Sequence, residues 1–173
     1  AIVYAYYDYP DRAAADAADA AMAGDPDMDA MMRDMPFDGA RMIYGGFEVL
    51  FDKRRIGMTG YVDGSVLAVP ADRRDAYVET YSALSDVIVE HGAVRVVDAW
   101  GVNVPEGKVT DFRRAVLVGP DEVVVLSLVE WPDKATRDAA WGKLYQDPRF
   151  QPEGGIFDEG RRVWGGFVPI LDA

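Results

Sequence analysis

Asp98 and Trp100 are the first residues in this sequence that could do chemistry. They lie two positions apart in the apolar segment AVRVVDAWGV (93–102), so on a strand both side chains project from one face, together with Val96. Burial would raise the pKa of such a carboxyl group, which suits a general acid or base. A salt bridge to an arginine on a neighbouring strand accounts for the aspartate equally well, so both interpretations stand.

The single histidine, His91, is the second catalytic candidate. An imidazole titrates near neutral pH and can act as a general base. His91 also directly precedes Gly92, at the predicted end of a helix, where the helix dipole favours a positive charge. This position favours a structural role for the histidine over a catalytic one.

Several other residues are candidates for ligand binding. Ser127 is polar in an otherwise apolar strand that ends at Trp131, and no GxSxG nucleophile motif surrounds it, so we expect it to line a pocket. The polar loop 101–114 carries three cations that could bind an anionic group, namely Lys108, Arg113 and Arg114. The sequence favours the alternative, a solvated arm used for contacts between subunits. In an enzyme, Asp98 would be the acid or base, and Arg114 would orient an anion.

The composition excludes several classes of function. The chain has 30 acidic and 18 basic residues, a net charge of −12, and no basic face, so we expect no nucleic-acid partner. Cysteine is absent and histidine occurs once, so we expect no metal site. We also expect no cofactor, because no GxGxxG motif is present. No apolar run approaches the ~18 residues of a membrane helix, and the lack of cysteine fits a cytoplasmic protein.

The elements that must position these residues belong to an internal repeat. Residues 2–26 align with residues 124–148 at an offset of 122, with shared proline, aspartate and Asp-Pro positions. After a two-residue difference in length, GGF at 45–47 matches GGF at 165–167. Repetition on this scale predicts duplicated structural units.

The repeat divides the chain into a partial first copy, 1–57, and a complete second copy, 58–173. The second copy is predicted as β-α-β-β-α-β, the ferredoxin-like order, with strands at 61–70, 93–102 and 122–131, a last strand in RRVWGGFVPIL, and helices in 71–92 and 132–148. The first copy is predicted as β-α-β, the back half of the same unit. The predicted fold class is therefore α+β, with six strands.

Five segments make the chain resemble the YbaA-like domain-of-unknown-function family of the dimeric α+β barrel superfamily. They are MPFDGARMIYGGFEVLFD (35–52), YVDGSVLAVP (61–70), EHGAVRVVDAWGVNVPEGKVTDFRRAV (90–116), WPDKATRDA (131–139) and DPRF (147–150). The resemblance implies a sheet that pairs with a second sheet to form a barrel, and it implies no established activity. The wider superfamily includes cofactor-free monooxygenases and lactone isomerases, which is an analogy of fold alone. Where the family usually has two acidic residues before VP, this chain has Val102 and Asn103.

Two functions remain as hypotheses. The first is a small-molecule-binding α+β barrel protein that could be a cofactor-independent enzyme, with its pocket lined by Trp100, Ser127 and Trp131. The second is a non-catalytic binding or assembly module, which the acidic surface, the partial first copy and the changed loop favour. Because sheets with open edges are usually covered or paired, we expect a homodimer, or a pseudo-dimer within one chain.

Overall fold

The computed structural model describes residues 2–34, 36–151 and 155–170. The regular elements, in chain order, are α1 (Arg12–Ala23), α2 (Pro26–Arg33), β1 (Gly46–Arg54), β2 (Tyr61–Pro70), α3 (Arg74–Glu90), β3 (Arg95–Asn103), α4 (Phe112–Ala115), β4 (Glu122–Trp131), α5 (Lys134–Leu144) and β5 (Val163–Phe167). Short 3₁₀ turns lie at Gly39–Arg41, Ala71–Arg73 and Glu159–Arg161. The chain divides into two compact units, 1–42 and 43–173. None of the described helices is long and apolar enough to cross a membrane.

The second unit contains one antiparallel sheet with the strand order β1-β3-β4-β2-β5. The predicted α+β fold class is confirmed, and the described residues form five strands rather than six. The elements between 58 and 173 follow the predicted β-α-β-β-α-β order, with the short helix α4 added at the end of the polar loop 101–114. β1, predicted with the first copy, belongs to the second unit because it pairs with β3.

Two apolar clusters hold α3 and α5 against one face of the sheet. The first cluster joins Val129 and Trp131 of β4 to Ile88 of α3 and Leu144 of α5. The second joins strand residues such as Trp100 to the start of α3. Full burial of one such side chain stabilises the fold by about 1.5–3 kcal/mol, so these clusters fix both helices on the sheet.

The ends of the helices depend partly on capping residues. Asp133 is the N-cap of α5, and its carboxylate accepts a hydrogen bond from the Thr136 backbone N–H at 2.7 Å. α3 differs, because Asp72 lies in a 3₁₀ turn and Arg73 takes the N-cap position without a side-chain hydrogen bond. Gly92 follows α3 with a φ of 119°, a conformation that favours glycine.

The first unit differs most from its prediction. Residues 2–9, which align with β4, form neither helix nor strand, although their sequence is rich in apolar and aromatic residues. A strand requires hydrogen bonds from a neighbouring strand. The described part of this unit contains no strand that could supply them. The helical segment that follows is interrupted at Gly24 and continues as α2 from Pro26.

Candidate functional site

Three polar side chains form a row across the middle of the sheet, on the face that carries the helices. Asp98 of β3 lies directly across from Ser127 of β4, which lies directly across from Ser65 of β2. All three are buried, and Asp98 is only 3% exposed. The row, which we call the polar row, lies between the two apolar clusters along the strands. Buried polar groups need hydrogen-bond partners, so each of these side chains calls for an explanation.

Tyr77 of α3 satisfies one oxygen of the Asp98 carboxyl group. Its hydroxyl donates a hydrogen bond to Asp98 Oδ2 at 2.6 Å, and the tyrosine is itself 1% exposed. Burial raises the pKa of Asp98, while the neighbouring Ser127 and Tyr77 hydroxyls and the charge of Arg162 oppose that rise. Burial and then the Asp98 charge raise the pKa of Tyr77 well above its usual value, so the proton stays on the phenol.

Two buried polar atoms beside this pair have no hydrogen-bond partner in the described part of the chain. They are Oδ1 of Asp98 and Nε of Arg162. Ser127 is near enough to favour the ionised carboxyl group, yet it makes no well-formed hydrogen bond to Oδ1. The Arg162 guanidinium donates to the Ser65 hydroxyl at 3.1 Å, which joins the arginine to the far end of the polar row. An acceptor and a donor therefore stay unsatisfied at one site.

Aromatic rings adjoin the polar row on the helix side. Tyr81 stacks on Tyr77 with ring centroids 4.5 Å apart, and the Phe157 ring lies 5.6 Å from Tyr81 and 6.2 Å from Tyr77. Burial, and next the charge of Glu159, raise the pKa of Tyr81 to about 12. At neutral pH these three rings therefore carry no charge, and their faces suit a flat or apolar group.

A 3₁₀ turn holds Arg162 beside the row. The neighbouring Arg161 makes a two-point ion pair with Glu122 at 2.6 and 2.7 Å and donates to the Leu117 carbonyl at 2.9 Å. The hydrogen bonds from Arg161 and the smaller contribution of the Gly119 N–H outweigh burial and lower the pKa of Glu122 to about 2. The turn is thus anchored at Arg161, and Arg162 follows it into the site.

The arrangement offers a buried carboxyl group, a phenol and two hydroxyls beside a half-buried guanidinium. These groups can bind, orient and exchange a proton with a small polar molecule. A group of three or more His, Cys, Asp or Glu side chains placed to hold a metal ion does not occur among the described residues.

The structure brings some predicted site residues together. Asp98 and Ser127 are direct neighbours in the polar row. Trp100 lies two positions along β3 from Asp98, in the adjacent apolar cluster, with the Arg74 guanidinium 5.7 Å from its ring centroid. These three predicted residues therefore lie on one face, as their spacing predicts.

Trp131 lies at the far end of β4 and serves a different buried group. Its indole N–H donates to Asp63 Oδ2 at 3.1 Å, as does the indole of Trp141. Arg137 donates to both oxygens of the same carboxylate, at 3.0 and 2.8 Å. Because these donors satisfy the Asp63 carboxylate, the geometry gives Trp131 a structural partner rather than a place in the polar row.

His91 lies at the opposite end of α3 from Tyr77. It is the C-cap residue of the helix, and its Nε2 is 3.0 Å from Asp147 Oδ2. Arg149 bridges Asp147 and Glu90 at 2.8 Å each, so the imidazole joins a network of charges. His91 lies fourteen positions after Tyr77, a rise of about 21 Å along the helix, so the histidine does not reach the polar row.

The cations of the polar loop lie apart from the row as well. Arg113 and Arg114 line an open groove of about 490 Å³ with Glu106, Asp111, Leu117 and Val118. Arg114 donates to the Gly107 carbonyl at 2.8 Å and lies 3.3 Å from Asp111, so the chain itself holds this guanidinium. Lys108 is exposed. The anion-binding role of these three residues stays a prediction.

Sequence reasoning missed three members of the site. Tyr77 lies in a helical stripe of apolar residues, which indicates a core position and hides its bond to Asp98. Ser65 lies within a strand, as Ser127 does, and the same signal of a polar residue in an apolar strand could have identified it. Arg162 follows Arg161 in a charged segment, and no local pattern marks which of the two faces the sheet.

Comparison with known proteins places this site in a family context. The family model described as "Protein of unknown function (DUF1428)" matches residues 1–39 and 60–159. Proteins named "Uncharacterized protein YbaA" from Escherichia coli K12, Escherichia coli O157:H7 and Shigella flexneri are each 48% identical over 114 residues, which cover 65% of this chain and 97% of each relative. The polar row lies inside the matched region, whereas Arg162 lies beyond it. The chain belongs to the DUF1428 family of proteins of unknown function.

Proposed function

We propose that this chain is a small-molecule-binding α+β barrel protein whose ligand site consists of the polar row, Tyr77 and Arg162. The observation that carries the proposal is the pair of unsatisfied buried groups, Asp98 Oδ1 and Arg162 Nε. Leaving a buried polar group unpaired costs about 1–3 kcal/mol, and more for a charged one, so each of these groups needs a partner that offsets this cost. A ligand that pairs with both atoms would recover that cost.

A cofactor-independent enzyme is the extension of this proposal. The Asp98 carboxyl group would take or give the proton, since its raised pKa brings it nearer to neutral pH. Tyr77 would hold the carboxyl group in place through its 2.6 Å hydrogen bond. A monooxygenase- or isomerase-like reaction rests on analogy of fold alone.

The barrel and the tandem fusion are part of the same proposal. Related local structure in two segments supports the fusion, since the turns at Asp38 and Asp158 have the same hydrogen bonds. The strand order also supports the barrel, because β1 and β5, which share the GGF motif, occupy opposite edges of one sheet. In the proposed arrangement each of these strands would link its own sheet to a second one.

Native mass spectrometry of gently purified protein tests the binding function. We expect the wild-type ion to retain an extra small mass, and Asp98→Ala to lose it. Asp86→Ala is the matched control, because Asp86 is an exposed carboxylate that pairs with Lys53 at the surface. A wild-type ion without added mass, or an Asp98→Ala ion that keeps the mass, would count against the site.

A non-catalytic assembly module is the second candidate, and the edge strand β5 favours it. Trp164 is 67% exposed, and Val163, Val168 and Ile170 beside it are exposed as well. An apolar edge strand of this kind is a surface for pairing with a second copy. We expect sedimentation to show a dimer that Trp164→Lys converts to a monomer, while the same change at the fully exposed Ile56 has no effect. A monomeric wild-type protein would exclude this candidate.

A further inference from the structure

We infer that the ligand of this site is a small neutral molecule that presents a hydrogen-bond donor beside a carbonyl acceptor, as a primary amide does. The inference rests on the proposed function, because it names the class of molecule that the same site would take. It is carried by the identity of the two unsatisfied atoms and by the balance of charge around them.

The unsatisfied atoms are of opposite kinds. Oδ1 of the Asp98 carboxylate is an acceptor, and its companion oxygen Oδ2 already accepts from Tyr77. Nε of Arg162 is a donor, as every guanidinium nitrogen is, and another nitrogen of the group already donates to Ser65. A ligand that satisfies both must give one N–H or O–H and accept one N–H. An amide carries these two functions on two atoms that are bonded to the same carbon.

The charge balance argues against an ionic ligand. An ionised Asp98 balances the charge of Arg162, and Tyr77 and Tyr81 are neutral because their pKa values are raised. Glu159 lies 3.5 Å from the Arg162 guanidinium, but its side chain is 58% exposed and screened by solvent. An anion or a cation would leave a net charge in a buried site, which costs far more than burying a neutral polar group.

The surroundings limit the shape of the rest of the molecule. Tyr81 and Phe157 present ring faces near the row, and the strand side is closed by the sheet itself. Ser65 and Ser127 add only small hydroxyls on that side. A flat group can stack on these rings more readily than a branched or bulky one.

Acetamide and acetate are the probes for this inference, because they have the same shape and differ only in an NH₂ group against an oxygen anion. The readout is the ¹⁵N–¹H resonance of Arg162 Nε, followed at neutral pH while each probe is titrated into the millimolar range that a four-atom ligand requires. We expect acetamide to shift this resonance and to bind at least about tenfold more tightly than acetate. Arg137 Nε is the internal reference, since both oxygens of Asp63 already accept from that atom.

Two variants test the atoms named. Arg162→Met removes the donor, and acetamide binding should be lost, as followed on the Tyr77 ring resonances. Asp98→Asn retains the size of the side chain while it replaces a carboxylate with an amide, and the site then carries a net positive charge. We expect this variant to reverse the preference, so that acetate binds more tightly than acetamide.

The outcomes separate the ligand class from the site. A wild-type protein that prefers acetate would overturn the inference and leave the proposed binding site standing. A protein in which neither probe moves the Arg162 resonance would overturn the inference too. If native mass spectrometry then also finds no retained molecule, the proposed function fails with it.

Discussion

Two segments of related sequence, 2–42 and 124–162, share their helix caps and 3₁₀ turns but differ in strand pairing and in burial. The helices α1 and α5 begin at Asp11 and Asp133, whose carboxylates accept backbone N–H groups at 2.8 and 2.7 Å. Both helices also place an ion pair across their first turn, at 2.7 Å in α1 and 2.6 Å in α5. A hydrogen bond that closes within four residues is determined by those residues alone.

The 3₁₀ turns of the two segments also have matching hydrogen bonds. Asp38 and Asp158 each accept a backbone N–H two residues on, at 3.0 and 2.9 Å, and each bonds to the arginine three residues on, at 3.1 and 3.2 Å. The residue after that arginine differs, because Met42 stands where the second segment has Arg162. The two turns therefore have the same hydrogen-bond pattern, and only one of them carries the cation of the proposed site.

The two segments differ where their structure depends on residues that are distant in sequence. Residues 124–131 pair with two neighbouring strands, whereas the aligned residues 2–9 form no strand. α5 buries Ala140 and Leu144, whereas α1 buries none of its side chains. Even the shared GGF motif differs, with a shift of register after Gly46 in β1 and a regular ladder through Gly166 in β5. Strand pairing and burial depend on the residues that a segment packs against, so segments of related sequence can differ in both.

The largest test of this difference is a pair of truncations at aligned positions. Leu144→Ala should lower the free energy of unfolding by about 2–5 kcal/mol, because Leu144 is fully buried in the apolar cluster with Trp131. Met22→Ala should change it by less than about 0.5 kcal/mol, because Met22 is 45% exposed. Urea denaturation measures both values. Equal losses would mean that α1 is packed as tightly as α5.

The next test compares the two turn arginines. Arg161→Gln should cost about 1 kcal/mol after allowance for solvent screening, because it removes the ion pair with Glu122. Arg41→Gln should cost less, because its pair with Asp38 is exposed on both sides.

The same ion pair predicts a dependence on pH. The pKa of Glu122 falls from 4.5 to about 2 on folding, so its stabilisation is complete above pH 4.5 and is lost as the pH falls toward 2. Thermal denaturation between pH 2 and 6 should show this loss in the wild-type protein and a smaller one in Arg161→Gln. Parallel curves for the two proteins would contradict the assignment.

The smallest test concerns the helix caps. Asp133→Ala should destabilise the protein measurably, because α5 carries buried residues that the cap helps to position. Asp11→Ala removes an equivalent hydrogen bond, and we expect a smaller loss, because α1 buries nothing. Chemical denaturation of the two variants side by side checks the order. A larger loss for Asp11→Ala would reverse our account of the two helices.

The difference between local and long-range interactions also explains which features the sequence could predict. The bounds of β4 follow from its β-branched residues and are found as predicted. The N-cap of α5 is an aspartate that directly precedes a helical pattern, which is also a local signal. The missing strand at 2–9 depends on a partner, which no local pattern reveals. In the site, the spacing of Asp98 and Trp100 is local. The hydrogen bond from Tyr77 and the effect of the Arg162 charge come from residues 21 and 64 positions away from Asp98.

The central claim is that Asp98, Tyr77 and Arg162 form one functional site, and a carbon-13 NMR titration of the aspartate side chains tests it most directly. The pKa of Asp98 should lie above its ordinary 3.8, so that the protein loses stability at this group as the pH rises from 3.8 to the raised value. Arg162→Met, which copies the first segment, should raise this pKa further by removing a positive charge. Tyr77→Phe should do the same by removing a hydrogen bond to the carboxylate. An Asp98 that titrates at or below 3.8, or that responds to Arg162→Met no more than to the distant Arg114→Met, would contradict the account.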